Sequence, residues 1–307
     1  MLKRRHFLQQ TGALALGSLF ISNKAAALGT PSAMKPLGVQ LFTFFNVMDD
    51  DVKGTLQKIA AVGYKEIESA FSKKGGYYGM KPKEFSAMLT NLGLTWQSHH
   101  VLGAPFKMPA GAKMPAGTDG KPMVIPPMKN LQDNMQELVD SVAEGGVPYL
   151  VCANIPINTL ADIKSAVSVL NKTGEACNKA GITFAYHNHD AEFHTVEGVV
   201  PYDMFLKELA ADKVKMELDL AWVTKAGKDP VELFKQNPGR FPLWHVKDLD
   251  ASGENILPVG SGTIDYKRIF DNAAVAGMKH CFIEHDMPKD PMESIKSSYA
   301  YLSKMLA

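Results

Sequence analysis

Short apolar runs recur along the chain, most of them running out into polar side chains and each followed by a stretch with helical spacing. Residues 37–42 form the first run; Asp49-Asp50-Asp51 then offers a cap for a helix through Val62, with Leu56, Ile59 and Ala60 on its buried stripe. Residues 66–69 predict a second strand. Its helix covers 81–92, where Phe85, Met88, Leu89 and Leu92 share one stripe. A third strand at 94–101 ends in Ser98-His99-His100, and a helix at 131–144 is closed by Gly145-Gly146. The pattern continues with a strand at 149–155, a helix at 160–180 that Gly174 should interrupt, and a strand at 181–187. Helices at 199–211, 230–236, 266–276 and 292–305 then alternate with strands at 214–220, 241–246 and 280–284. Eight strand and helix alternations without a second compositional zone predict a (β/α)8 TIM barrel rather than an open doubly wound sheet. No glycine-rich phosphate turn follows the first strand, and Gly260-Ser261-Gly262 is too short to be diagnostic.

Residues 103–128 break the pattern: Pro, Gly, Lys and Met dominate, and no period survives. A long insertion after the third strand lies, in a barrel, on the catalytic face, where Met108, Met114, Met123 and Met128 would form either a lid or a loose ornament. The first 28 residues also stand apart. Lys3-Arg4-Arg5-His6-Phe7-Leu8 precedes an apolar stretch and Ala25-Ala26-Ala27, the parts of a secretory signal, and the paired arginines followed by Phe-Leu resemble the twin-arginine type. The expected organisation is therefore a signal over 1–28 and one barrel domain over 29–307, exported folded to the periplasm or beyond. The apolar stretch is too short for a stable membrane span.

A formal charge of +1, with both signs interspersed, provides no long-range field for nucleic acid or anionic membrane, which leaves a small molecule as the expected partner. Oligomeric state is not legible. Cys152, Cys177 and Cys281 lack any metal or redox spacing, and two of them sit in apolar strands as small hydrophobes.

Chemistry concentrates at the carboxyl ends of the last four strands. His187, Asp219, His245 and Glu284 arrive there in succession, a mixed nitrogen and oxygen set suited to one Mn, Co, Zn, Ni or Fe ion rather than Ca. Each alone would more often be a hydrogen-bonded strand end; the succession is what points to metal. His189 leaves the same face as His187. Aromatics including Trp222, Trp244, Trp96, Phe42 and Phe44 are candidates for a sugar-stacking wall or simply core.

At these residues the chain resembles the xylose isomerase-like barrels, in particular the sugar phosphate isomerase/epimerase group. The resemblance rests on Val-Gln-Leu-Phe-Thr at 39–43, Gly-Tyr-Lys-Glu-Ile-Glu at 63–68, His99-His100, Tyr-His-Asn-His at 186–189, Glu-Leu-Asp-Leu-Ala-Trp at 217–222, His-Val-Lys-Asp at 245–248, Val-Gly-Ser-Gly at 259–262 and Ile-Glu-His-Asp at 283–286. It implies a metal set of Glu, Asp, His and Glu, of which the last three fall on Asp219, His245 and Glu284. The first falls on His187, so proton exchange between two flanking glutamates is not available as such. Glu192, His189, His99 or Lys247 would have to supply the base beside Glu284. Glu68, His100, Trp222 and Phe42 are the implied substrate contacts.

The implied activity is a metal-dependent isomerase, epimerase or lyase acting on a sugar, keto-sugar or cyclitol by carbonyl polarisation and C–H proton abstraction. An exported enzyme would meet keto-sugars or oxidised glycosides rather than phosphorylated intermediates. The competing readings are a 3-keto-glycoside eliminase or hydrolase, and a sugar-binding barrel without catalysis.

Overall fold

A computed structural model describes residues 36–106 and 128–307. The signal-like segment with Arg4 and Arg5, and most of the 103–128 insertion including Met108, Met114 and Met123, lie outside the described residues. Eight parallel strands close into a barrel: β1 (Gly38–Gln40), β2 (Glu66–Ser69), β3 (Thr95–Leu102), β4 (Tyr149–Asn154), β5 (Thr183–His187), β6 (Val214–Asp219), β7 (Leu243–Val246) and β10 (His280–Ile283). Between β7 and β10 lies a small antiparallel hairpin of β8 (Asp248–Leu249) and β9 (Ile256–Leu257). The eight-strand closed barrel expected from the alternation is the fold observed.

Helices start where the short polar residues stand. Asp51 accepts from Gly54 N at 2.9 Å to cap Val52–Val62, and Thr159 and Asp162 form a reciprocal capping box on Leu160–Lys179. This last helix is continuous, against the expected interruption at Gly174. The glycine answers a packing need instead: a Cβ there would lie 2.7 Å from Val214 Cγ2 and 3.0 Å from the Lys213 carbonyl, so Gly174 lets the helix press onto the start of β6. The helix expected over 266–276 is divided at Asn272 into Tyr266–Asp271 and Ala273–Ala276.

The main apolar core fills the space between strands and helices, while a second cluster of Val151, Ala185, Leu243 and Phe282 plugs the barrel interior. Burying side chains of this size contributes about 1.5–3 kcal/mol each. Gly38 makes room for the plug, since a Cβ at that position would meet the Phe282 ring at 2.4 Å. Above this plug most inward side chains at the carboxyl end are polar, Ala153 of β4 being an exception. One irregularity decides which ones: β3 carries an extra residue opposite β2, with Ile67 paired to Trp96 but Glu68 to Ser98. Such a bulge reverses the alternation beyond it, sending His100 inward and His99 outward.

Candidate functional site

The polar interior has two layers that share one residue. Glu68, His100, Glu217 and His245 form the deeper group; His187, Asp219, His245 and Glu284 form the upper one, and in each the potential ligand atoms lie within 4.8 Å of one another. All seven are buried. Alternation explains the stacking, because Glu217 and Asp219 are two apart on β6, and His245 of β7, level with Asp219, faces both layers through its two ring nitrogens.

The deeper layer is held by short hydrogen bonds, with Glu68 Oε2 and Glu217 Oε1 left without partners among the described residues. His245 Nε2 lies 2.5 Å from Glu68 Oε1, His100 Nε2 lies 2.6 Å from Glu217 Oε2 and 3.2 Å from Glu68 Oε1, and Gln40 Nε2 donates to the same Glu68 oxygen at 2.7 Å. Burial alone would push the His100 pKa down, but Glu68 and Glu217 more than offset it and raise it to about 9. Burial, with Glu68 opposite, raises Glu217 to about 7. Two ligands on one ion of this class, at about 2.1 Å each in tetrahedral array, stand about 3.4 Å apart. The 2.5 and 2.6 Å contacts are hydrogen bonds and leave no such opening.

The upper layer is different. His187 Nδ1 faces the Ala153 carbonyl at 3.4 Å, which can only accept, so the proton belongs on Nδ1 and Nε2 is bare. That bare nitrogen stands 3.4 Å from Asp219 Oδ2, which is 3.8 Å from His245 Nδ1. His187 Nε2 has no hydrogen-bond partner among the described residues, and the cation beside Asp219 Oδ2 is the Lys247 ammonium at 3.0 Å. The 3.4 Å between the two acceptors is a separation that two ligands of one metal ion could also have. Asp219 is fixed for this purpose, since its other oxygen caps Leu220–Lys225 through Ala221 N and Trp222 N at 3.0 Å each.

Charge in this layer is strongly organised. Lys247 Nζ lies 2.6 Å from Glu284 Oε2, 2.9 Å from Asp286 Oδ2 and 3.0 Å from Asp219 Oδ2. Burial opposes its charge, yet Asp219, Asp286 and Glu284 hold its pKa well above the ordinary lysine value. Against the cost of burial, Lys247 holds Asp219 down to about 2, and Lys247 and His245 keep Glu284 well below the carboxylate range. Burial and the neighbouring His245 lower His187 to about 3, so its imidazole is neutral, as a metal ligand must be.

The remaining expected residues divide. Phe42, His100, His187, His189, Lys247 and Glu284 all line one chamber of about 110 Å³ above the upper layer. Trp222 stands beside it, its ring 5.9 Å from the His189 ring and 5.3 Å from Lys247 Nζ. Glu68 lies beneath the chamber, against His245, rather than where a substrate would touch it. His99 points outward between barrel and helix, its Nδ1 2.7 Å from Ser69 Oγ, with burial lowering its pKa to about 3. Glu192 is occupied by Tyr186 OH at 2.6 Å and His189 N at 3.0 Å and does not reach the upper layer. Trp244, Trp96 and Phe44 are core, Trp244 stacking on Phe234 at 5.0 Å. Glu217 and Gln40 take part without having been singled out, and Asp286, which the strand-end pattern delivers together with Glu284, joins them; the alternation Glu217-Leu218-Asp219 was the available signal for the first.

A family model described as xylose isomerase-like TIM barrel matches residues 56–305. The chain belongs to that family. Among solved structures it is similar to two proteins of Parabacteroides distasonis described as sugar phosphate isomerase/epimerase. One is 27% identical, with 92% of this chain and 98% of that chain covered and a TM-score of 0.71. The other is 25% identical, with 89% and 100% covered and a TM-score of 0.73. A xylose isomerase-like TIM barrel protein from Mycobacterium smegmatis in complex with magnesium shares the fold at 16% identity, covering 89% of this chain and 96% of that chain with a TM-score of 0.61. No curated protein matches the chain in sequence.

Proposed function

We propose that this chain is a divalent-metal-dependent isomerase, epimerase or lyase acting on a sugar, keto-sugar or cyclitol. The observation that carries the reading is the buried set His187, Asp219, His245 and Glu284, whose potential ligand atoms lie within 4.8 Å of one another at the mouth of a barrel whose relatives are described as sugar phosphate isomerase/epimerases. His187, Asp219, His245 and Glu284 would hold the ion. When bound, it would polarise a carbonyl or hydroxyl pair and acidify the adjacent C–H.

The protein's own groups then have separate tasks. Lys247 is an ammonium tied to three carboxylates, so it donates a hydrogen bond or proton to a substrate oxygen and is not the base. Glu284, held ionised at low pKa, is a poor proton acceptor at neutral pH. His189 is the one imidazole that lines the chamber without a carboxylate partner among the described residues, and it takes the proton from carbon. Trp222 supplies the ring face beside it. Phe42 closes the opposite wall and helps exclude water.

The test is proton exchange: metal-loaded protein, a keto-sugar and deuterated water, with deuterium at the carbon next to the carbonyl read by mass spectrometry. Label should appear with the parent chain and fall by about 10²-fold or more with His189→Ala at unchanged metal content. Absence of label with several ketoses, or full exchange in the variant, sinks the assignment. Export by the twin-arginine route belongs to the same proposal. Its check is the Arg4→Lys, Arg5→Lys double variant, which should remain unprocessed in the cytoplasm.

A further inference from the structure

Beside the small chamber lies a larger one of about 320 Å³, formed where β2 and β3 end against the helix Leu131–Gly145. The two share Ala70, Phe71 and His100 as wall. Sites for a whole small-molecule ligand usually span about 300–1,000 Å³. The chamber over the upper layer is too small for that, and the adjoining one is not.

Its lining combines aromatic side chains with charges that are paired. Phe71, Tyr77 and Leu138 supply apolar surface, and the Tyr77 and His99 rings meet edge to face at 4.8 Å. Trp96 Nε1 can only donate, and it donates to Ser69 Oγ at 2.8 Å; the Ser69 hydroxyl hydrogen is thereby free for His99 Nδ1 at 2.7 Å. His99 then carries its proton on Nε2, for which no described residue is a partner. Ser141 Oγ, 3.0 Å from Tyr77 OH, is a second polar point. Cations are committed elsewhere: Lys129 at the rim pairs with Glu137, His100 is held between Glu68 and Glu217, and Lys247 serves three carboxylates. No cation that lines the chamber among the described residues lacks a carboxylate partner.

We propose that this second chamber is a subsite for an uncharged ring attached to the reacting sugar, so that the substrate is a glycoside, with an aromatic or sugar ring as its second part, rather than a sugar phosphate. The inference rests on the proposed function for the identity of the reacting half. His99 donates from Nε2 to an oxygen at the junction of the two parts, and Phe71 and Tyr77 cover the ring.

The test is calorimetry on the metal-loaded full chain with methyl β-D-glucopyranoside, phenyl β-D-glucopyranoside and glucose 6-phosphate. The phenyl glycoside should bind about tenfold or more tightly than the methyl one. Ser141→Trp, which fills the chamber, should abolish that preference and leave methyl glycoside affinity unchanged; Ser141→Leu, a milder filling, should reduce it severalfold if the tryptophan variant does not fold. Equal affinity for the two glycosides, a phenyl preference that survives both substitutions, or tighter binding of glucose 6-phosphate overturns the proposal. A failure of the catalytic reading appears separately, as missing deuterium exchange while the phenyl preference persists.

Discussion

The two polar layers of the barrel use the same residue types, share His245, and are both shut away from bulk water, yet they are finished differently. In the deeper one, two imidazoles alternate with two carboxylates at 2.5–2.6 Å, with Glu68 Oε2 and Glu217 Oε1 left without partners among the described residues. In the upper one, a bare imidazole nitrogen confronts a carboxylate oxygen at 3.4 Å, and Lys247 Nζ stands 3.0 Å from that oxygen. The difference teaches that a cluster of His, Asp and Glu is not by itself a metal site. What separates the layers is spacing: the 2.5–2.6 Å contacts of the deeper one are hydrogen bonds, whereas the 3.4 Å from His187 Nε2 to Asp219 Oδ2 beneath the chamber is a separation that two ligands of one ion would have.

The sharpest way to break this comparison is to remove one acceptor from each layer. Asp219→Asn keeps an oxygen for the cap on Ala221 and Trp222 but removes the charge facing His187, and should lower metal affinity by more than about 10²-fold, as should His187→Ala. Glu217→Gln in the deeper layer should retain the ion. Elemental analysis of the purified variants decides it. Metal retained by the Asp219 and His187 variants but stripped from Glu217→Gln would mean that the layers have been assigned the wrong way round.

The barrel and the upper layer were legible in the sequence because both depend on periodicity. Apolar runs ending in polar residues mark barrel strands, and one inward residue at each of four strand ends predicts the set His187, Asp219, His245 and Glu284. The deeper layer was harder to read. Glu68 and His100 look like substrate contacts in sequence, and only the register of β2 against β3, with closure of the barrel, places them under His245. His99 misled for a concrete reason: the bulge after Trp96 reverses which of two adjacent histidines faces inward, and bulges depend on the pairing of neighbouring strands. Lys247 kept its place but changed its role, because a lysine that is a candidate base in isolation becomes a firm cation among three carboxylates.

A smaller effect follows from the bond that joins the layers. Glu68 Oε1 accepts from His245 Nε2, which reserves Nδ1 for the upper layer, and Gln40 steadies Glu68 in turn. Glu68→Gln should therefore weaken the ion by about 10- to 100-fold without abolishing it, the range seen when a group orienting a histidine ligand is lost. A competitive chelator titration measures this. Unchanged affinity would show that His245 is positioned by Glu217 alone.

The smallest effect is on the pH dependence of stability in chelator-treated protein, and it assigns one limb to each layer. His100, raised to about 9, stabilises fully below the ordinary histidine value near 6.5, and that contribution is lost as pH rises through 9. His187, lowered to about 3, has the opposite sense: between 6.5 and 3 the unfolded chain takes up a proton that the folded chain refuses, so stability falls as pH falls. Each group contributes a slope of at most about 1.4 kcal/mol per pH unit. His99, also lowered to about 3, adds to the acid limb, whereas Glu217, raised to about 7, works against it as pH falls toward the ordinary carboxylate range. The variants rather than the parent curve therefore carry the test. In urea titrations across pH 4–9, His100→Gln should flatten the alkaline limb and His187→Gln the acid one. The contributions of Glu217 and of His245, whose pKa Glu217, Glu284 and Glu68 raise well above the ordinary value against burial, are lost in the same direction as pH rises. The His100 variant should therefore lower the alkaline slope rather than abolish it; an unchanged slope would remove the claim that His100 is held charged between Glu68 and Glu217.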